Sequence, residues 1–191
     1  LFSLPLGLLI SFGRMSKFKP LQWLMKVYIS IMRGTPLMLQ LIVVFFGPYY
    51  IFGMTLSPDY RFTAVIIAFS MNYAAYFAEI YRGGIEAIPK GQYEAAQVLG
   101  YGKIQTFFII ILPQVFRIIL PSVTNEVITL VKDTSLSFVI AVPEMFTVAK
   151  QIAASDASIA ALLVAGIFYY VFNVLVAFVM ARLEKRYDYL S

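Results

Sequence analysis

The chain has 191 residues, of which 61% are hydrophobic, 16% aromatic and only 13% charged, with a net charge of +5. Soluble domains average about 45–50% apolar and about 25% charged residues, so this composition excludes a disordered chain, a basic nucleic-acid module and an ordinary soluble enzyme. Cysteine and histidine are absent, which excludes disulfides, Cys/His metal sites and a histidine general base.

Apolar stretches recur along the chain, and a membrane span needs about 20 apolar residues. The predicted helices, the first being the tail of a span, cover residues 1–13, 21–48, 62–85, 113–131 and 157–182. None of them alternates apolar and polar residues, as the strands of a membrane β-barrel do. We therefore predict an all-α membrane protein, a polytopic bundle of about five transmembrane helices in which residues 1–191 form a single transmembrane domain.

Lysine and arginine predict the orientation, because cytoplasmic loops carry an excess of these residues. If the first loop is cytoplasmic, 12 of the 15 Lys and Arg lie inside and 3 lie outside. The N-terminus is then outside and the C-terminus is cytoplasmic. Two long connections remain, a cytoplasmic one over residues 86–112 and an external one over residues 132–156, and we expect both to be partly helical.

The cytoplasmic connection contains a short helix-forming segment between two helix breaks. Pro89 and Gly91 interrupt the incoming helix, Gln92–Leu99 consists of good helix formers, and Gly100 and Gly102 end the segment. A helix of this kind at the mouth of a membrane bundle either docks into the groove of a partner or lies on the lipid surface. The residues alone leave both interpretations open.

The same connection carries a recognisable motif. Glu94-Ala95-Ala96, followed by Gly100 and by Ile110-x-Leu112-Pro113, resembles the EAA loop of the permease subunits of ABC importers. The segments RGTP at 33–36, AEIYRGG at 78–84 and KDTSL at 132–136 resemble the polar amino acid permeases, the histidine, glutamine, glutamate, arginine and opine group. The likeness extends from about residue 20 to residue 182.

This resemblance implies an ABC type I importer permease fold with a coupling loop at about residues 86–112. It implies that Glu94, Ala95, Ala96 and Gly100 couple the chain to an ATP-binding cassette subunit. The other implied partners are a second permease subunit, either a homodimer partner or a paralogue, and an external solute-binding protein. The implied location is the bacterial inner membrane. The implied function is alternating-access translocation of polar amino acids.

We expect no catalytic residue, metal or cofactor in this chain. It lacks the G-x-x-x-x-G-K-[ST] phosphate-binding loop, since Gly102-Lys103 is followed by Ile104. ATP hydrolysis, with Mg-ATP as cofactor, is therefore expected in the partner ATPase subunits. An intramembrane enzyme would need paired carboxylates or a Ser/Lys pair at one depth, and the sequence offers no such pair.

Polar residues inside the predicted spans form two stripes. Ionisable residues there cost about 2.5–3.5 kcal/mol on insertion scales and mostly face the bundle interior or a water-filled cavity. The candidate substrate-pathway residues are Glu126, Asn125, Asn72, Thr129 and Glu79. The two glutamates can accept a substrate ammonium, and the amides and the hydroxyl can donate or accept. We expect the stripe of the fourth helix to turn inward, with its apolar side toward lipid or neighbouring helices.

Two alternatives remain at the level of sequence. Polar residues in spans also hold helices together, and Glu79 can simply pair with Arg82 one turn along the helix. The intramembrane acids would also suit a stand-alone secondary transporter or channel driven by an ion gradient, although the coupling loop disfavours it. The acids favour cationic substrates such as arginine, lysine or histidine.

Overall fold

The structure, a computed structural model, describes residues 1–57 and 59–188. The helices are α1 (Ser3–Met15), α2 (Lys19–Gly34), α3 (Leu37–Phe52), α4 (Tyr60–Glu86), α5 (Lys90–Val98), α6 (Lys103–Gln105), α7 (Leu112–Asp133), α8 (Met145–Ser155) and α9 (Ala160–Asp188), with a π-helical turn (Thr106–Ile111) before α7 and a 3-10 helix (Thr134–Ile140) after it. The described residues contain no strand, and the predicted all-α class is confirmed. Residues 189–191 of the C-terminal end that we predict to be cytoplasmic lie outside the described residues.

Within the described residues, three helical segments are long and apolar enough to cross a membrane: α4, the continuous run Lys103–Ile140, and α9. A fourth crossing results if α2 and α3 together form one span. The 13 residues of α1 match the predicted tail of a span. The long external connection is helical over the 3-10 segment and α8, as expected.

The prediction of one helix over residues 21–48 is wrong. This segment is divided into α2 and α3, which meet at 109°. Thr35 adopts an extended backbone with φ −120° and ψ 146°, because the residue before a proline avoids the α conformation. Pro36 also has no N–H with which to continue the helix.

The prediction that the fourth span starts at residue 113 is also wrong, because the helix is continuous from Lys103 onward. Pro113 has no N–H, and in a regular α-helix its ring would clash with the carbonyl four residues earlier. The chain accommodates it with the wider π-helical turn, in which the Leu112 N–H donates to the Phe107 carbonyl. Proline therefore widens this helix and does not begin it.

Helix α4 lies at the centre of the bundle and contributes to hydrophobic clusters with α1, α2, α3 and α7. Its fully buried alanines, which let neighbouring backbones approach closely, are Ala64, Ala68, Ala74, Ala75 and Ala78. Gly7 of α1 continues this packing: a methyl group placed there would lie 2.8 Å from Phe77 Cβ. By contrast, only 6% of the most apolar stretch of α9 is buried in this chain, so α9 lies at the periphery of the bundle.

Adjacent glycines at the end of α4 provide a test of this packing. A methyl group on Gly84 would lie 3.2 Å from Val115 Cγ1 and closer still to Ile119, whereas one on Gly83 would meet nothing within 4 Å. Both alanine variants gain helix propensity, but overpacking costs about 1–3 kcal/mol. We expect Gly84→Ala to unfold several degrees below Gly83→Ala, at about 2–4 °C per kcal/mol, in thermal melts in detergent. Equal melting temperatures would contradict the α4–α7 contact.

Candidate functional site

The C-terminal end of the loop helix α5 is fixed by two backbone hydrogen bonds and a glycine. Gly100 has a left-handed backbone with φ +79°, a conformation that glycine adopts at little cost. The N–H of Tyr101 donates to the Ala96 carbonyl and the N–H of Gly100 donates to the Gln97 carbonyl, both at 3.0 Å. These two bonds form a Schellman motif. The glycine predicted for coupling is therefore the residue that ends α5 and turns the chain toward α6.

The predicted coupling residues divide between two sides of α5. Glu94 and Ala95 are exposed, whereas Ala96 is only 1% exposed. Ala96 therefore packs within this chain, and its role in coupling remains a prediction. The outer surface of the loop instead carries large apolar side chains, since Val98 is 88% and Leu99 is 73% exposed.

The polar stripe of α7 lies on the outside of this chain, which corrects the expectation that it turns inward. Ser122, Asn125 and Thr129 are exposed, and the Thr129 hydroxyl donates to the Asn125 carbonyl at 2.9 Å. The apolar side of α7 faces the chain's own bundle, where Val123 and Leu130 pack on the core around α3 and α4. A polar face at membrane depth therefore remains uncovered by this chain.

Glu126 is the ionisable residue of that stripe at membrane depth. Its side chain is partly buried, and among the described residues it forms no hydrogen bond or ion pair. Attraction from Arg33 and repulsion from Asp133 act on its carboxylate. A carboxylate in this position is available to a cationic group that arrives from outside the chain.

Asp133, at the end of the stripe, has a partner that sequence reasoning missed. The Tyr73 hydroxyl donates to Asp133 Oδ2 at 2.7 Å, and Tyr73 is only 2% exposed. This bond fixes the C-terminal end of α7 to the middle of α4. The sequence signal was available, because Tyr73 is a polar-tipped aromatic next to Asn72 in the same span.

Asn72 is enclosed in the structure and is only 4% exposed. Its amide donates to the Met32 carbonyl at 3.1 Å and to Gln40 Oε1 at 3.0 Å. The Gln40 amide donates to the same Met32 carbonyl at 2.9 Å. Asn72 therefore satisfies backbone that the break between α2 and α3 leaves without helical partners, and its role in substrate contact remains a prediction.

Glu79 pairs as the simpler interpretation expected. Arg82 Nη2 lies 2.6 Å from Glu79 Oε2, and Arg14 of α1 approaches the other oxygen at 4.0 Å. Arg82 also pairs with Glu86 at 2.5 Å. This ionic cluster connects α1 to α4 at the ends near the coupling loop, which leaves less of the Glu79 carboxylate available to a substrate.

Arg33 is a second residue whose position sequence reasoning missed. Its guanidinium carbon lies 5.2 Å from the centre of the Tyr76 ring, a cation–π contact. Its charge acts on both Glu79 and Glu126, yet it forms no ion pair among the described residues. The structure thus brings Arg33 and Glu126 to one region, while Asn72 and Glu79 lie in contacts of their own.

No group of three or more acidic, cysteine or histidine residues in the described part of the chain could hold a metal ion. The chain presents two distinctive surfaces: an apolar, protruding loop helix, and a polar face at membrane depth. Together with the apolar spans they define a transmembrane transport subunit.

The comparisons identify its family. The chain belongs to the family described as binding-protein-dependent transport system inner membrane component, which matches residues 3–189. The L-cystine transport system permease protein TcyB of Bacillus subtilis is 40% identical over 98% of this chain and 80% of its own length. The arginine transport system permease protein ArtQ of the same organism is 39% identical over 97% and 84%. The glutamate/aspartate import permease protein GltK of Escherichia coli is 34% identical over 94% and 83%.

Solved structures agree. An amino acid ABC transporter crystallised with histidines has a TM-score of 0.86 at 32% identity, covering 97% of this chain and 85% of that one. The inward-facing MetNI methionine ABC transporter has a TM-score of 0.74 at 18% identity, which shows the shared fold. The resemblance, the permease fold and the transport function predicted from the sequence are confirmed, and the stand-alone ion-driven transporter is not favoured. The family is one of inner membrane permeases and not of enzymes.

Proposed function

We propose that this chain is the membrane-spanning subunit of an importer that takes up polar amino acids and is driven by a dimer of ATP-binding cassette subunits. Residues 1–191 form one transmembrane domain with the N-terminus outside and the C-terminus in the cytoplasm. A second permease subunit completes the pathway, and an external solute-binding protein delivers the substrate. Mg-ATP is bound and hydrolysed in the partner subunits. The relatives named for cystine, arginine and glutamate/aspartate support the substrate class.

The surface of the loop helix supports this proposal most directly. Val98 and Leu99 are almost fully exposed, beside the exposed Glu94 and Ala95. An exposed apolar patch with polar residues around it is typical of a site of protein–protein contact. The ATPase subunit covers this patch, so movement of the ATPase dimer is transmitted through α5 to the membrane helices.

The α7 stripe supports a pathway shared with a second subunit. Its exposed amide and hydroxyl groups would be costly against lipid, so they face water or the other permease. In this pathway Glu126 receives the ammonium group of the amino acid, and Arg33 provides a cation for its carboxylate. Asn125 and Thr129 line the route beside Glu126. Two nearby acids, Glu126 and Asp133, favour cationic substrates.

Single cysteines test the loop assignment, because these 191 residues contain none. We expect Ala95→Cys, carrying a photoactivatable thiol reagent, to cross-link to the ATPase subunit in the assembled transporter. Ala96→Cys is the matched control: its position is 1% exposed, so it should label slowly and give little cross-link to the ATPase. The measurement is gel mobility followed by mass spectrometry of the product. Assemblies that hydrolyse ATP but never cross-link from position 95 would contradict the proposed coupling surface.

A further inference from the structure

Two adjoining cavities flank the helix that leads from α6 into α7, beside the loop helix α5. The first is a crevice of about 300 Å³ between α5 and α6, lined by Tyr93, Gln97, Tyr101, Lys103, Thr106 and Phe107. The second is a groove of about 400 Å³ between α1, α4 and α7. Phe107 lines both cavities, so the crevice and the groove adjoin at this ring.

The crevice is rich in hydrogen-bond donors and carries a positive charge. Lys103 brings an ammonium group, Tyr93 and Tyr101 bring phenol hydroxyls, and Gln97 brings an amide. Among the described residues, none of these four side chains forms a hydrogen bond or an ion pair with another. Phosphate groups are recognised by donor sets of this kind, in which lysine acts as a point charge.

The crevice is separate from the surface proposed for the ATPase. Tyr93 and Gln97 stand one turn apart on α5 and face α6 across the crevice, and the buried Ala96 lies between them in sequence. Glu94 and Val98 are exposed and do not line the crevice. The crevice and the exposed apolar patch are therefore formed by different residues of α5.

The groove is apolar. Its walls include Leu8 and Phe12 of α1 and Phe108 of the π-helical turn, of which Phe12 is 48% and Phe108 is 61% exposed. Phe108 follows Lys103 by little more than one helical turn, so the charged crevice and the apolar groove lie close together, an arrangement expected at a membrane boundary. Lysine and aromatic residues are typical of this boundary.

We propose that the two cavities form one binding site for an anionic phospholipid from the leaflet beside α5. The phosphate lies in the crevice against Lys103, and an acyl chain passes Phe107 into the groove. A soluble phosphate would occupy only the crevice. A zwitterionic lipid such as phosphatidylcholine would bring the positive charge of its headgroup close to Lys103, which is unfavourable. Because the lipid contacts both α5 and the transmembrane helices, it stabilises the position of α5 relative to those helices. This inference requires the membrane location and does not rest on the proposed transport cycle.

Native mass spectrometry of the full chain in detergent, titrated with palmitoyl-oleoyl phosphatidylglycerol or phosphatidylcholine, measures the site directly. We expect tighter binding of phosphatidylglycerol. Lys103→Gln should weaken it about fivefold, as expected for loss of one lysine near anionic lipid. Lys90→Gln, which changes an exposed lysine that lines neither cavity, should leave binding unchanged.

A second pair of variants tests the groove. Leu8→Trp should fill the groove and weaken binding of phosphatidylglycerol. Leu9→Trp, at an exposed position outside the groove, should not weaken it.

Several outcomes would overturn the assignment. Equal binding of the two lipids, or unchanged binding in both Lys103→Gln and Leu8→Trp, would show that the two cavities do not form a site for anionic lipid. Displacement of phosphatidylglycerol by millimolar inorganic phosphate assigns the crevice to a free anion. Loss of the lipid when the ATPase subunits assemble shows that a protein occupies the crevice. None of these results depends on whether the chain transports amino acids, so failure here is distinguishable from failure of the proposed function.

Discussion

Aspartate in place of Gly100 is expected to separate ATP hydrolysis from uptake in the assembled transporter. The glycine has φ +79°, where another residue costs about 1–3 kcal/mol of backbone strain. The new carboxylate would stand beside Leu99 in the apolar contact and lose its water there, at a cost of several kcal/mol. Since about 1.4 kcal/mol corresponds to a factor of ten, we expect uptake to fall roughly tenfold or more. The membrane helices do not depend on this residue, so the variant should still insert and assemble.

Gly91→Asp is the matched control, because it places the same charge in the first turn of the same helix. Gly91 has no side-chain neighbour within 4 Å and no left-handed backbone, and an acid near a helix N-terminus is favourable. Uptake of radiolabelled amino acid and phosphate release should be measured on the same vesicles. If Gly100→Asp imports with an unchanged ratio of substrate to ATP, α5 is not the coupling element.

The sequence predicted α5 and its end because the signals are local. A proline before the helix, good helix formers within it and a glycine after it determine its ends through short-range hydrogen bonds. The Schellman motif at Gly100 contains only bonds between residues three to five positions apart. The burial of Ala96 was not predictable in this way, since it depends on the packing of α5 against the π-helical turn.

The sequence indicates where the break between α2 and α3 lies, but it does not indicate the size of the angle between the two helices. The residue pair Thr35 and Pro36 disfavours helix in any context. A bend as large as 109° also needs acceptors and donors to replace the lost helical bonds. These come from Gln40 and from Asn72 on another helix, a contact between residues 40 positions apart that periodicity does not reveal.

The prediction that the polar stripe of α7 turns inward was wrong for a related reason. Helical spacing groups Ser122, Glu126 and Thr129 on one face, but it does not say whether that face meets the same chain or another one. Here the Tyr73 hydroxyl of α4 donates to Asp133 at the end of the stripe, but Asn72 of α4 bonds to α2 and α3 instead. The polar face of α7 is therefore left exposed, which a single chain cannot make favourable inside a membrane.

Glutamine in place of Glu126 is expected to raise the apparent KM for import of a cationic amino acid about tenfold. Hydrogen bonds to charged groups contribute about 1.5–3 kcal/mol, whereas those between neutral groups contribute about 0.5–1.5 kcal/mol. This difference in binding free energy corresponds to about a tenfold difference in affinity for the substrate. Because Glu126 has no partner among the described residues, the substitution removes no internal contact that the structure shows. The measurement is the concentration dependence of uptake in vesicles, with arginine and with glutamine as substrates.

Glu184→Gln is the control for loss of a carboxylate in the same bundle. Glu184 on α9 accepts a hydrogen bond from the Thr124 hydroxyl at 2.8 Å, and an amide oxygen can keep that bond. We expect its apparent KM to stay near the natural value while that of Glu126→Gln rises, with the larger change for arginine because it carries an additional positive charge. An unchanged KM for both substrates in Glu126→Gln would place this carboxylate outside the pathway and leave it a role in helix packing alone. A change for arginine only would place the side-chain end of the substrate, and not its ammonium group, against α7.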